Sequence, residues 1–156
     1  MVEQVRPIGF VESTRSEPED DFWGREETCI ALIEPFTAEA LQGITDFSHV
    51  EILFLFDRVQ PSQIVIGARH PRNNQAWPIV GIFAQRGKNR PNRIGCTICK
   101  IIRQEGTRLF VSGLDAIDGT PVLDIKPVMA EFLPREDVRQ PAWSRELMLN
   151  YWQAKP

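Results

Sequence analysis

Residues 81–95 hold Arg86, Lys88, Arg90 and Arg93 among Gly87, Pro91, Asn92 and Gly95. A guanidinium donates two parallel hydrogen bonds, which suits a carboxylate or a phosphate. Pro91 stiffens the stretch, and Gly87 and Gly95 let a ligand approach the main chain. Between residues 83 and 104 there are six positive side chains and no acidic one, although the whole chain carries a net charge of −3. The average hides a basic patch on an acidic body, a candidate anion site whose alternative is a solvated surface.

A second stretch, residues 114–127, places Asp115, Asp118 and Asp124 around Gly119, Thr120 and Pro121. Two readings stay open. The three carboxylates suit Mg²⁺ or Ca²⁺ and would make a metal-dependent phosphohydrolase, but the spacing does not match an EF-hand loop. Alternatively the turn presents backbone groups and a carboxylate to a polar ligand, or Asp118 simply caps the turn. The third stretch, residues 43–50, ends in His49 and Val50. His49 opens a strong strand pattern, where a lone histidine is more often structural.

Two weaker signals complete the inventory. Cys96-x-x-Cys99 has zinc-like spacing, yet only Cys29, His49 and His70 remain to complete four ligands. Residues three apart on a strand point to opposite faces, so no metal is expected there. Phe22-Trp23-Gly24 is an apolar island in a polar, acidic stretch, readable as a lid over a ligand or as a loop anchored to the core.

Short elements must position these groups. Extended segments are expected at 7–12, 28–33, 48–57, 79–84, 94–103, 108–112 and 122–128. In residues 48–57, Val50, Ile52, Phe54 and Phe56 line one apolar face, which predicts a central strand. Glu105-Gly106 predicts a hairpin turn. Thr37 can cap a short helix over 38–42 ended by Gly43, and a C-terminal helix is expected over 143–152, with Trp143, Leu147 and Tyr151 as a contact stripe. Helical crossovers between strands are missing, so the predicted fold is mainly β: a small, mostly antiparallel barrel of six or seven strands with short flanking helices. With 156 residues, 42% apolar, one domain over 1–156 is expected. No apolar run of membrane length and no apolar leader core is present, so the expectation is a cytoplasmic protein without a membrane partner.

Taken in order, the three stretches resemble the signatures of the tRNA-methyltransferase O family, also called the TsaA-like domain. That family carries Gly-x-x-Asp-Phe-Ser-His, Thr-Arg-x-x-x-Arg-Pro-Asn-Pro-Ile-Gly and Asp-Gly-Thr-Pro-x-x-Asp-Ile-Lys-Pro segments. Residues 43–49, 86–95 and 118–127 match them, and Pro7-Ile8-Gly9 fits as well. The resemblance covers residues 5–130. It implies a small β-barrel that forms a homodimer, binds S-adenosylmethionine without a Rossmann sheet and methylates N6 of threonylcarbamoyladenosine beside the tRNA anticodon. Carried over by motif, the cofactor site comprises His49, Val50, Arg86, Cys96, Asp118, Gly119, Thr120 and Pro121. The same resemblance leaves Asp118 and His49 as candidate proton acceptors, and Arg90, Asn92 and Arg93 as candidate contacts to tRNA phosphates.

The chain departs from the pattern at Gln85 for Thr, Arg93 for the second Pro, and Val128 where Tyr commonly follows. Residues 20–24 replace a Pro-Arg-Gln-like segment, and a C-terminal extension of longer members is expected to be lacking. The departures keep a noncatalytic, RNA-binding barrel module as the alternative. The methyltransferase reading requires Arg86 and Asp118 to meet in one pocket.

Overall fold

The computed structural model describes residues 3–156; Met1 and Val2, the start of the expected domain, lie outside them. In chain order the strands are β1 (Gly9–Glu12), β2 (Glu27–Leu32), β3 (His49–Leu55), β4 (Ala68–Arg69), β5 (Val80–Gly81), β6 (Ile94–Glu105), β7 (Arg108–Ser112) and β8 (Pro121–Pro127), followed by one helix, α1 (Ala142–Leu147). Six strands close an antiparallel barrel in the order β1-β2-β7-β6-β3-β8, while β4 and β5 form a separate two-stranded sheet. Closure leaves no barrel edge unpaired.

Alternation of apolar side chains turns each strand. On β3, Val50, Ile52 and Phe54 are buried in the barrel while His49, Glu51, Leu53 and Leu55 lie half-buried on the outside. On β6, Gly95, Thr97 and Cys99 point inward and Ile94, Ile98 and Lys100 are exposed. Gly95 sits where a side chain has no room: a Cβ there would come within 2.5 Å of the Phe54 ring. Val11, Ile30, Leu109, Val111, Leu114 and Val122 complete the core with Leu41.

Strand β6 is long enough to serve two partners. Its first half pairs with β3, from Leu55↔Ile94 to His49↔Lys100. Its second half pairs with β7 across the expected turn, with Gly106 at a φ of +60°. Strand β1 joins β2 on one side and β8 on the other, so Gly9 faces both Leu32 and Val122.

Two expectations are corrected. Residues 79–84 are not a barrel strand. Only Val80–Gly81 is extended, paired with β4, and Ile82–Ala84 makes a 3₁₀ turn. Ile82 alone is buried there, while Ile79 and Phe83 are exposed, so no inward face exists to recruit the segment into the barrel. The C-terminal helix stops at Leu147 rather than running to residue 152. Beyond it the carbonyls of Asn150 and Tyr151 accept from the backbone N–H groups of Phe22 and Trp23, at 3.1 and 2.7 Å, which draws the chain out of helical geometry. The short helix near residue 38 forms as a 3₁₀ segment, Ala38–Leu41, with Thr37 as its cap. Among the described residues no helix is long and apolar enough to cross a membrane.

Candidate functional site

The motif residues fall into two groups. The first lies on the outer face of β3 and β6, where the register sets Leu53 against Cys96, Glu51 against Ile98 and His49 against Lys100. The Cys96 thiol donates to Glu51 Oε1 at 2.8 Å. Burial, reinforced by the hydrogen bond to Glu51 and the Glu51 charge, pushes that thiol up to about 11. Arg86 reaches across from the basic loop and donates from Nη2 to the Cys96 carbonyl at 2.6 Å. The Ser48 hydroxyl lies 2.7 Å from His49 Nδ1. Val50 points into the core, away from this face.

The second group is the bend leading into β8. Asp118 Oδ1 accepts from the Ser13 N–H at 3.0 Å. The Asp118 and Gly119 N–H groups donate to the Arg15 and Val11 carbonyls, at 2.7 and 2.8 Å. Thr120 closes the turn with a hydroxyl bond to the Ile117 carbonyl at 2.7 Å. Asp118 lines an open hollow with Glu12, Ser13, Thr14, Glu27, Thr28, Cys29 and Phe110. Arg86 does not line this hollow. His49 is remote from it. Antiparallel pairing sets Val50 against Pro127 and Phe54 against Val122, which puts His49 and the bend at opposite ends of the β3–β8 pair.

Comparison with known proteins settles the family. The family model described as the tRNA-methyltransferase O N-terminal domain matches residues 12–132. The chain belongs to the tRNA-methyltransferase O family. A human tRNA (adenine(37)-N6)-methyltransferase is 42% identical over 94% of this chain and 34% of its own length. A probable S-adenosyl-L-methionine-binding protein of Pyrococcus abyssi is 33% identical over 86% of this chain and 72% of its own. A crystal structure of TrmO from Pseudomonas aeruginosa superposes with a TM-score of 0.74 at 33% identity, over 92% of this chain and 62% of that one. The chain thus spans about a third of the human relative it matches.

Within this tRNA-methyltransferase O fold, two departures from the family pattern hold the basic loop together. Gln85 Nε2 donates to the carbonyls of Arg69 and Val80 at 3.0 and 2.9 Å. Arg93 donates to the Val59 carbonyl at 2.8 Å, and Arg90 to the Gln85 carbonyl at 2.6 Å. Arg90 and Arg93 are half-buried braces, whereas Lys88 and Asn92 are exposed. Phe22, Trp23 and Gly24, considered as a lid, are pinned down. Trp23 is 4% exposed, the Arg15 guanidinium covers its ring at 3.6 Å, and Gly24 abuts the Trp152 carbonyl.

The three aspartates do not converge. Asp115 binds Thr97 and Tyr151, Asp118 binds Ser13, and Asp124 pairs with Lys126 at 2.9 Å. Among the described residues no three His, Cys, Asp or Glu side chains are grouped to hold a metal ion. This removes the basis for the phosphohydrolase reading. Sequence reasoning passed over Glu51 and read Tyr151 as a contact-stripe residue and Asp115 as a candidate metal ligand, missing the bond between them. Glu51 had a signal, a lone carboxylate between His49 and Leu53 on the outward face of the most apolar strand.

The donor set fits a zwitterionic, sugar-bearing ligand. Arg86 matches a carboxylate, Glu51 or Asp118 an ammonium or ribose hydroxyls, and Leu53 and Ile98 offer apolar outer surface to a flat base.

Proposed function

We propose that this chain is an S-adenosylmethionine-dependent methyltransferase acting on N6 of threonylcarbamoyladenosine beside the tRNA anticodon, working as a homodimer in the cytoplasm. The family match carries the reading, and its likeness to a human tRNA (adenine(37)-N6)-methyltransferase and to a probable S-adenosyl-L-methionine-binding protein of Pyrococcus abyssi supports it. Bound S-adenosylmethionine supplies an activated methyl on a sulfonium. Arg86 would hold its carboxylate. His49, Cys96 and the bend from Asp118 to Pro121 would hold the remainder, with Val50 offering only its main chain because its side chain is in the core.

The protein's share of catalysis is to orient and to exclude water. Methyl transfer needs the acceptor nitrogen in line with the donor, which binding geometry provides. The exocyclic nitrogen loses one proton as it is alkylated, and Asp118 and His49 are the two candidates to accept it. Two copies related by a two-fold axis would set the Asp118 bend of one against the β3–β6 face of the other. That arrangement accounts for site residues lying at opposite ends of one barrel. Exposed Ile94, Ile98 and Phe83 give such a contact its apolar area. Lys88 and Asn92 are the exposed loop groups suited to RNA phosphates.

Isothermal calorimetry with S-adenosylmethionine tests the cofactor. Saturable heat is expected, and none from folded protein would remove the proposal. Mass spectrometry of tRNA nucleosides from a deletion strain tests the acceptor: methylated threonylcarbamoyladenosine should disappear. Light scattering tests the dimer, which a monomer at micromolar concentration would exclude.

A further inference from the structure

Asp115 stands where the two groups of motif residues are joined. One of its carboxylate oxygens accepts from the Thr97 hydroxyl and the other from the Tyr151 hydroxyl. Thr97 follows Cys96 on β6, the residue on which Arg86 docks. Asp115 itself lies three residues before Asp118. A single carboxylate therefore ties the Arg86 end of β6 to the start of the Asp118–Pro121 bend, and a residue of the C-terminal segment completes it.

That segment is firmly held. Trp77 Nε1 donates to Glu146 at 2.9 Å, and Lys155 pairs with Glu19 at 2.8 Å. The Trp152 carbonyl fits so tightly against Gly24 that a Cβ there would come within 1.8 Å. The Tyr151 hydroxyl thus arrives at Asp115 on a fixed support. Burial pushes this hydroxyl well above the usual tyrosine range, with the Asp115 charge adding to it, so it stays a donor throughout the physiological range. Both oxygens of a half-buried carboxylate are occupied, which fixes its orientation.

We propose that Tyr151 is a positioning residue for the methyl donor: by holding Asp115, it sets the relation between Arg86 on β6 and the Asp118–Pro121 bend, and so the affinity for S-adenosylmethionine. The inference rests on the cofactor reading above.

Tyr151→Phe removes one oxygen and keeps the ring. By calorimetry its Kd for S-adenosylmethionine is expected to rise about tenfold, as the arrangement competent to bind falls to about a tenth of the population. The KM for the donor should rise with it while kcat at saturating donor holds. Thr97→Val, which frees the other oxygen, is measured in parallel and should give a similar rise; Thr97→Ser should restore wild-type affinity. Lys155→Ala removes one exposed ion pair while the Trp77–Glu146 bond and the Gly24–Trp152 contact still hold the segment, so it should leave Kd unchanged. Wild-type affinity in both Tyr151→Phe and Thr97→Val overturns the inference, as does an equal loss in Lys155→Ala, which would reduce Tyr151 to an anchor. If the wild type itself binds no S-adenosylmethionine, the cofactor reading falls and this inference with it; binding by the wild type isolates failure to Tyr151.

Discussion

Arg86 Nη2 donates to the main-chain carbonyl of Cys96 at 2.6 Å, bridging the basic loop to β6. This bond occupies one of five guanidinium N–H donors and fixes the direction of the fork. Arg86→Ala should raise the Kd for S-adenosylmethionine by about 10- to 100-fold, the scale of charge-assisted hydrogen bonds to a carboxylate. Arg86→Lys should not rescue it, because an ammonium lacks the planar fork. Calorimetry reads the affinity and thermal unfolding the fold; unchanged affinity in Arg86→Ala would take this residue out of the site.

Burial first, and Glu51 after it, should keep the thiol of Cys96 protonated. The folded-state value is raised from the ordinary 9.0 to about 11, so the thiol stays protonated where an unfolded chain has lost its proton. Between those values the native state binds more protons than the unfolded one, and stability falls as pH rises. Its contribution is complete below pH 9 and lost as pH passes through about 11. Alkylation of Cys96, followed by mass spectrometry, should therefore be slow at pH 8 and accelerate steeply only at higher pH. Glu51→Gln removes the charge and should bring that acceleration to lower pH. Identical profiles for the two proteins would contradict the assigned cause.

Gly95 is a packing residue. An added Cβ would lie 2.5 and 2.6 Å from the Phe54 ring and 2.9 Å from that of Phe56. Those rings meet edge to face with centroids 5.3 Å apart, and Phe54 is fully buried. Gly95→Ala should cost about 1–3 kcal/mol, typical of an overfilled core. Chemical denaturation gives the number, and an unchanged midpoint would mean that the ring pair has room to move.

Lys88 and Arg93 should behave differently although they share a loop. Lys88→Ala should lower the slope of log affinity for tRNA against log salt by about 1. Arg93→Ala breaks the bond to the Val59 carbonyl and should cost about 1 kcal/mol of stability. The reverse pattern, a stability loss at Lys88 and a salt effect at Arg93, would overturn this division.

The barrel was legible where period-two burial is strict. Val50, Ile52 and Phe54 identify β3 and its inward face, and Glu105-Gly106 marks the β6–β7 hairpin. Residues 79–84 misled because apolar identity does not reveal exposure; Phe83 is 77% exposed beside a buried Ile82. The truncated helix was hidden for another reason. The groups that claim the Asn150 and Tyr151 carbonyls belong to Phe22 and Trp23, at the other end of the chain. Motif spacing singled out His49, Arg86, Cys96 and Asp118, while the separation of His49 from the Asp118 bend follows from antiparallel pairing. The Asp115–Tyr151 contact had no local pattern to announce it.

The pairing of β1 with β8 bears on how the chain is made. A ribosome delivers β1 early, yet one of its two neighbours emerges only after β7. Until then the inward faces of β1, β2 and β3 have no closed interior to enter. Nascent chains stalled before Pro121 should therefore be sticky and protease-sensitive, and release of β8 should mark the moment at which the barrel seals.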